Sequence, residues 1–357
     1  MSTSAVAIGQ GSERPPNQRF QILALSGGGY RGLYTAKILA DLEQHIGAPI
    51  GRHFDLIAGT SIGGILALAV ALEIPAERMV TLFERHGEAI FRRRWSLRGI
   101  VRAPYSQAPL AALLAQDDLF GDRRLEACLH PVLVPTINYS TGLPVLFKTP
   151  HHPNFSRDFR YQLIDVALAT SAAPAYFPRH VFDHRQYIDG GLFANAPGLL
   201  ALHEAQHFLG RPREDICLVA IGTMSARFTV DPRRNRSGGT YDWGGWHPAE
   251  TPKRLFGVAI SAQESLVHHL LGHQLAPGQY FHVDDDLTDA RARAVALDKA
   301  NAAAREVLLG VGAERAKWCL GDPAFRTVLQ HSPIAPRFYH GIHAHHEEGV
   351  ARDAVTA

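Results

Sequence analysis

A serine between two glycines, Ser61 in the stretch GTSIG of residues 59–63, has the G-x-S-x-G spacing of a nucleophile turn. The apolar run DLIAG, typical of a buried strand, ends in this turn, and the helical run ILALAVAL follows it. A tight turn between a strand and a helix needs small residues beside the serine, and it raises the hydroxyl above the sheet at the positive end of the helix. The stretch therefore indicates a nucleophile for attack on an acyl carbon. The alternative is a glycine-lined helix start in which Ser61 is only a cap.

The partner of this serine must be a base that accepts its proton, because a serine hydroxyl alone is a weak nucleophile. The chain has 20 histidines, but none lies in an obvious turn after a downstream strand. Asp189 ends the apolar run RQYID, and the following Gly190 and Gly191 leave room for another loop to approach its carboxylate. Ser61 and Asp189 could therefore form a two-residue catalytic pair. The alternative is a turn cap, since aspartate before glycine is common in turns.

A third glycine-rich loop, SGGGYRG, follows the strand-like run FQILAL and allows two interpretations. Gly27, Gly29 and Gly32 fit the dinucleotide pattern G-x-G-x-x-G, but that site also needs an acid at the end of the next strand. Asp55 lies at the start of that strand, and the sequence after the glycines lacks the Lys-Ser/Thr of a P-loop. The other interpretation is an oxyanion hole, in which the amides of Gly27, Gly28 and Gly29 bind the negative oxygen of an acyl-transfer intermediate. One acyl-transfer mechanism uses all three loops.

The elements that must position these loops alternate between short apolar strands and amphipathic helices from Phe20 to about Leu209, which predicts an α/β fold. A further buried strand is predicted at DICLVAIGTM, before a polar stretch rich in Gly and Pro that we interpret as a long loop. From Arg254 to about Gln330 the pattern is mostly helical. We expect four segments: a flexible leader (1–18), a catalytic α/β domain (19–225), a loop with a helical portion packed on that domain as a candidate regulatory region (226–340), and a His-rich tail (341–357).

Composition narrows the class of protein. The 357-residue chain has a formal net charge of +2, which gives no indication of binding to a nucleic-acid polymer. The three cysteines are far apart, which favours reduced thiols, and the N-terminus lacks the basic and apolar regions of a signal peptide. The most apolar run, Ile62–Leu72, is too short to cross a bilayer. We therefore expect a cytoplasmic protein.

The motifs resemble those of the patatin-like phospholipases over about Phe20 to Pro197. The loop SGGGYRG is similar to the family's oxyanion loop, GTSIGG to its nucleophile turn, and DGGLFANAP to its aspartate motif; ATSAAPAYFP is similar to the segment before that aspartate. The resemblance implies a three-layer α/β/α sandwich with a mostly parallel central sheet, here with a helical C-terminal extension. It implies no cofactor and no metal.

Residue by residue, the resemblance implies that Ser61 is the nucleophile and Asp189 the base of a Ser–Asp dyad. It also implies that the amides of Gly27, Gly28 and Gly29 form the oxyanion hole. Arg31 matches the motif's arginine, which would orient the loop or meet a lipid phosphate. Ser26 stands where the family motif has aspartate. That position is not the catalytic acid, so activity is still expected, and the change could alter how the loop is braced.

The serine at position 26, the continuation YRGLYTAKIL and the long helical C-terminal portion are more similar to a bacterial subgroup, the patatin-like effectors of anti-phage cyclic-oligonucleotide signalling (CBASS). This resemblance implies a phospholipase that is inactive until a cyclic dinucleotide such as cyclic GMP-AMP binds, and that then degrades phospholipids at the inner face of the cell membrane. The alternatives are a lipase without nucleotide control, a dinucleotide-dependent oxidoreductase, and a non-catalytic sensor.

Two segments have the composition of contact surfaces. The stretch HGEAIFRRRWSLRGIVRAPYS, residues 86–106, combines basic and aromatic residues and suits an anionic lipid surface; the alternative is a solvated face over a core helix. Its members are Phe91, Arg92, Arg93, Arg94, Trp95, Arg98, Ile100 and Arg102.

The stretch PRRNRSGGTYDWGGW, residues 232–246, suits a nucleotide, or equally a contact in a homo-oligomer, and we assign no nucleotide-binding residue. Its arginines and aromatic residues are Arg233, Arg234, Arg236, Tyr241, Trp243 and Trp246. His269 and His273 lack the acidic partner of a zinc motif, so we expect surface or packing histidines and no catalytic metal.

Overall fold

The computed structural model describes residues 19–94, 103–224, 251–286 and 295–345, and eight strands in these ranges form one sheet. The strands are β1 (Phe20–Leu25), β2 (Leu56–Gly59), β3 (Val132–Asn138), β4 (Leu143–Lys148), β5 (His180–Phe182), β6 (Arg185–Asp189), β7 (Ile216–Ile221) and β8 (Tyr280–Val283). Their order is β5-β6-β3-β2-β1-β7-β8, and β4 also pairs with β3. The run β3-β2-β1-β7-β8 is parallel, whereas the pairs that join β4, β5 and β6 are antiparallel.

Helices cover both faces of this sheet. They are α1 (Gly32–Ile46), α2 (Ile62–Ala71), α3 (Ala76–Ile90), α4 (Ala108–Leu114), α5 (Leu163–Thr170), α6 (Gly191–Ala194), α7 (Gly198–His207), α8 (Thr251–Gln274), α9 (Ala302–Gly321) and α10 (Pro323–Leu329). Leu23 and Leu25 of β1 pack with α1 to α5, α9 and α10, whereas the alternate residues Ile22 and Ala24 pack with α7 and α8. Because successive side chains of a strand point to opposite faces, β1, which is apolar except for Gln21, predicts two covered faces, and the α/β/α sandwich is confirmed.

Strand β3 sets the distance between the two motifs that sequence reasoning pairs. Its first part lies beside β2, where Leu133 pairs with Ala58. Strand β2 ends at Gly59. Beyond that point β6 lies along the edge of β3 that β2 occupies earlier, and there Thr136 pairs with Asp189. Because β6 runs antiparallel to β3, its end approaches the end of β2. The turn after β2 and the carboxylate at the end of β6 therefore meet in one place.

Most of the predicted strands and helices of the α/β part are present, but two short strands were not predicted. Strand β5 has only three residues, and β8, in a stretch predicted to be mostly helical, has four. Both are partly exposed, so neither has the continuous apolar run that identifies a buried strand. The C-terminal helices lie on both faces: α8 packs with α7, and α9 packs along α1. The expected leader (1–18) and the loop that begins at residue 225 lie outside the described residues.

Candidate active site

The turn at Ser61 has the strained backbone that its glycine spacing predicts. Ser61 has φ 56° and ψ −126°, in the region that residues with a side chain rarely adopt. A Cβ atom at Gly63 would overlap the carbonyl oxygen of Leu25, and one at Gly59 would overlap that of Gly63. Both positions therefore require glycine, because the start of α2 lies directly against the end of β1.

Two threonines hold this turn in place. The Ser61 N–H donates to Oγ1 of Thr170 (3.0 Å), and that hydroxyl donates to the Pro135 carbonyl of β3 (2.6 Å). The Thr60 hydroxyl donates to the carbonyl of Ala194 (2.5 Å), within the aspartate motif. The buried hydroxyls replace hydrogen bonds that an isolated turn would make with water, which fixes the turn against β3 and α6.

The Ser61 hydroxyl donates directly to Asp189, with 2.6 Å between Oγ and Oδ2. The other carboxylate oxygen accepts the backbone N–H of Gly191 at 2.7 Å. Asp189 is buried, and burial raises its pKa to about 7, although the hydrogen bonds from Ser61 and Gly191 lower it in part. A carboxyl with a pKa near neutrality is suited to accept and return a proton at physiological pH. The geometry therefore brings together the two residues that sequence reasoning pairs.

The glycine loop differs from the expected set of three free amides. The Gly27 N–H donates to the backbone carbonyl of Asn195 (3.0 Å), so this amide is not available to a substrate oxygen in this conformation. The Gly27 carbonyl accepts the side chains of Asn195 (3.1 Å) and Thr223 (3.0 Å). Gly28 and Gly29 line the same cavity as Ser61, and their N–H groups have no hydrogen-bond partner within the described residues. Of the three amides expected to form an oxyanion hole, those of Gly28 and Gly29 are therefore open to a ligand in this conformation, and that of Gly27 is not.

The end of this loop lies under a segment from the C-terminal part of the chain. Gly29 has a positive φ of 57°, and a Cβ atom there would overlap the carbonyl oxygen of Leu297. The same carbonyl accepts the N–H of Tyr30 at 2.8 Å. The Leu297 carbonyl therefore occupies the space in which a dinucleotide pyrophosphate would approach the backbone of this loop. Asp55, the nearest acid of the dinucleotide interpretation, lies at the far end of β2, and its Oδ2 accepts the Gln21 N–H (2.7 Å).

Arg31 is buried, and its Nη1 donates to the carbonyl of Met224 at 3.0 Å. Burial lowers its pKa, and the charges of Glu264 and Asp284 partly restore it. Of the two roles that the resemblance implied, orientation of the loop fits this position, whereas contact with a lipid phosphate does not because the guanidinium is enclosed. Ser26 is also buried, and its N–H donates to Ile221 of β7 (3.0 Å).

The site opens into a narrow apolar cavity. It lies between the start of α2, one face of α3, and α4, and aromatic residues form part of its wall. Residues that define it, besides the catalytic ones, include Ile65, Phe83, Leu110, Leu114, Tyr176 and Phe256. Ser61 and Asp189 lie on its wall with Gly28 and Gly29. The cavity thus presents the polar groups of the site to a long apolar ligand.

Three residues of the site, of which Asn195 and Glu264 are buried and Leu297 is half-buried, were not predicted. Asn195 joins the glycine loop to α8, because its Nδ2 donates both to Gly27 and to Glu264 (2.6 Å). Asn195 lies in the aspartate motif DGGLFANAP, so its place in that motif could have indicated a role in the site. Glu264 lies in an ordinary helical pattern, and Leu297 lies in a stretch with no recognisable motif. Both act on the glycine loop across more than 230 positions of sequence, which local patterns cannot reveal.

The expected contact surfaces are only partly described. Arg92, Arg93 and Arg94 are exposed, but Phe91 packs edge-on against Tyr30 and lines the cavity, so it is not available to a lipid surface. Positions 95–102 of that segment, with Trp95, Arg98, Ile100 and Arg102, lie outside the described residues, as does the whole segment 232–246.

The described residues contain neither a metal-binding cluster nor a membrane-spanning helix. His269 and His273 are exposed with their rings 4.4 Å apart, and the described residues contain no histidine, cysteine or acidic cluster that could hold a metal ion. Within the same ranges, every helix is too short or too polar to span a bilayer.

Comparisons with known proteins identify the family of this chain. A protein-family model, patatin-like phospholipase, matches residues 23–202. A cGAMP-activated phospholipase of Pseudomonas aeruginosa is 46% identical over 334 residues, which cover 90% of this chain and 95% of that protein. A protein of the same description from Vibrio cholerae is 36% identical and covers 83% and 90%, respectively. A cUMP-AMP-activated phospholipase of Escherichia coli is 30% identical over 57% of this chain and 64% of its own.

Among solved structures, VipD from Legionella pneumophila aligns with 83% of this chain and 67% of its own at 12% identity, with a TM-score of 0.39. The chain belongs to the patatin-like phospholipase family and is a serine hydrolase.

Proposed function

We propose that this protein is a lipid acyl hydrolase of the phospholipase A type, in which Ser61 attacks a fatty-acyl ester of a glycerophospholipid and Asp189 is the base. The observation that carries the proposal is the 2.6 Å hydrogen bond from Ser61 Oγ to the buried Asp189 carboxylate, on the wall of an apolar cavity. A buried carboxylate in this position can take the serine proton without a histidine.

In the first half of the reaction, Asp189 takes the proton of Ser61 as Oγ bonds to the ester carbon. The amides of Gly28 and Gly29 bind the oxyanion, each supplying about 3 kcal/mol to the stabilisation of the transition state. The tetrahedral intermediate then collapses, and the departing lysophospholipid oxygen takes the proton from Asp189. In the second half, Asp189 removes a proton from water, which attacks the acyl-enzyme, and the proton returns to Ser61 as the fatty acid leaves.

The fatty-acyl chain would occupy the cavity between α2, α3 and α4. Ile65, Leu110 and Leu114 are apolar positions of its wall. Each buried methylene of the chain contributes about 0.8 kcal/mol to binding, so a cavity of this kind favours a long acyl chain over a short one. The exposed Arg92, Arg93 and Arg94 lie close in sequence to the cavity residue Phe91 and suit the anionic headgroups of a membrane surface.

We further propose that a cyclic dinucleotide, such as cyclic GMP-AMP, activates this enzyme. The support is the activator named in the descriptions of relatives that align with most of this chain. The enzyme would then work in the cytoplasm at the inner face of the cell membrane, as a peripheral protein in anti-phage defence. It needs no metal or other cofactor, because the proposed steps use only its own side chains and amides.

The test is the release of fatty acid from vesicles of phosphatidylethanolamine and phosphatidylglycerol, with and without a panel of cyclic dinucleotides. We expect Ser61→Ala and Asp189→Ala each to abolish release while their circular dichroism matches that of the wild type. Ser140→Ala is the matched control, because this serine lies exposed in the turn between β3 and β4, away from the cavity. Turnover that survives in either dyad variant would contradict the mechanism. Equal release with and without nucleotide would contradict the activation and favour an uncontrolled lipase.

A further inference from the structure

A second cavity lies at the opposite end of the sheet from Ser61. It has a volume of about 270 Å³, and its walls include Phe20 at the start of β1 and Asp55 just before β2. Small-molecule sites start at about 300 Å³, and a neighbouring cavity described below adds to this space. Ligands of open α/β sheets that take part in the chemistry bind at the carboxyl ends of the strands, and this cavity is at the amino ends. Its position therefore suits a ligand that is not the substrate.

Two arginines, each held over an aromatic ring, give this cavity a positive character. The Arg211 guanidinium lies 5.2 Å from the centre of the Phe20 ring, and that of Arg337 lies 5.0 Å from the Tyr339 ring. A planar guanidinium that is positioned by stacking presents several N–H donors and suits a phosphate oxygen.

The negative charge of Asp55, an acid in the wall of this cavity, is already balanced by hydrogen-bond donors of the protein. Its Oδ2 accepts the Gln21 N–H (2.7 Å) and is paired with His331 (2.7 Å), while Oδ1 accepts the N–H of Ile334 (2.7 Å). The carboxylate is therefore bound to the protein, and its charge is opposed by these donors. An anion in the cavity would meet the arginines rather than a free carboxylate.

Rings that could receive a nucleobase line the same cavity. Phe208 and Tyr339 present aromatic surfaces, and His152 packs edge-on against Phe208 with 5.4 Å between ring centres. Partial burial and the nearby Lys148 lower the pKa of His152, so its ring is neutral at physiological pH. Neutral aromatic rings beside arginines are the groups that bind bases and phosphates together.

A neighbouring cavity of about 200 Å³ continues this space, with Asp55, Pro131 and Ile334 in both walls. The two together offer more room than a single phosphate or mononucleotide needs. A ligand with two phosphates and two bases, linked in a ring, matches two arginines and several separate aromatic surfaces.

We propose that this second cavity binds the cyclic dinucleotide, with Arg211 and Arg337 on its phosphodiesters and Phe208 and Tyr339 against its bases. This inference rests on the proposed activation. The topology supplies a physical route to the active site, because the strands that begin at the cavity end there: β1 leads to the glycine loop and β2 to Ser61. No residue of the proposed catalytic mechanism lines the second cavity.

The test is titration calorimetry of the full chain with cyclic GMP-AMP, with inorganic phosphate, AMP and GMP as separate probes. We expect Arg211→Gln and Arg337→Gln each to weaken cyclic GMP-AMP binding about 10- to 100-fold, the range for lost charge-assisted hydrogen bonds. The matched control is Arg160→Gln, an exposed arginine whose guanidinium lies 5.1 Å from the Phe159 ring, outside the cavity. Labelling of Ser61 by a fluorophosphonate should be unchanged in all three variants.

A second measurement does not depend on the folding of variants. An 8-azidoadenine analogue of cyclic GMP-AMP, photolysed with the wild-type protein, should label peptides that contain Phe208 or Tyr339. Labelling only elsewhere, or wild-type affinity in both arginine variants, would overturn the inference. So would equal affinity for inorganic phosphate, which would indicate a simple anion site. If no cyclic dinucleotide stimulates the wild type, the proposed activation itself fails; if the wild type responds and both arginine variants respond equally, only the location is wrong.

Discussion

The buried carboxylate of Asp189 should make the active protein less stable than its inactive asparagine variant at neutral and alkaline pH. In the folded protein its pKa is about 7, against an ordinary value of 3.8 for an aspartic acid side chain. Between these two values only the unfolded chain is ionised, so the free energy of unfolding falls by about 1.4 kcal/mol for each pH unit. The stability present at low pH is thus lost as pH rises toward 7. Between pH 5 and pH 8, the titration of this carboxyl lowers the free energy of unfolding by about 3 kcal/mol.

Asp189→Asn keeps an acceptor for the Gly191 N–H and removes the ionisation. We therefore expect the free energy of unfolding of the variant, relative to that of wild type, to rise by about 3 kcal/mol between pH 5 and pH 8. Urea unfolding of both proteins at the two pH values measures this difference, and other titrating groups cancel because both proteins contain them. A relative stability that does not change with pH would show that Asp189 titrates normally and would refute the reasoning. The variant should also be inactive at both pH values.

Three further outcomes follow from the site. Wild-type kcat should rise with pH through an apparent pKa of about 7 and then level off, because Asp189 must be ionised to accept a proton; a flat profile from pH 5.5 to 8.5 would contradict this. Gly28→Ala should lower kcat about 100-fold or more with little change in KM, because its Cβ would overlap Thr223 and displace the oxyanion donors; unchanged kcat would remove Gly28 from the hole. Leu110→Trp should reduce the cavity and shift kcat/KM from palmitoyl toward octanoyl p-nitrophenyl esters about 10-fold; an unchanged ratio would show that the acyl chain binds elsewhere.

The local parts of this site could be predicted because their chemistry imposes local residue types. Ser61 needs glycine on both sides where α2 begins against β1, and that requirement is visible as a spacing. The approach of Asp189 to Ser61 needs the pairing of β6 with β3, which no local pattern states, so it followed only from the resemblance and from chemical reasoning. Their catalytic roles remain predictions, although the geometry joins them.

A different reason explains why the sequence could not show that the Gly27 amide is already bonded. A glycine-rich loop shows that backbone amides can approach a ligand, but it does not show which of them already have partners. The amide of Gly27 is bound by the carbonyl of Asn195, 168 positions away in the sequence. In the same way, the raised pKa of Asp189 comes from burial by the whole fold rather than from its neighbours in the chain. Hydrogen-bond partners and desolvation are properties of the packed molecule.

The carbonyl of Leu297 over the glycine loop has a consequence for any attempt to isolate a minimal enzyme. The family match ends at residue 202, yet Phe256, Ile260 and Leu297 enclose the cavity, and Glu264 holds the asparagine that braces Gly27. A fragment cut after β7 would keep serine, aspartate and glycines but would expose an apolar trough to water and leave the Tyr30 N–H without its acceptor. Such a fragment should aggregate or misplace its oxyanion donors, so the family signature marks where the chemistry is encoded rather than how much chain is needed to perform it.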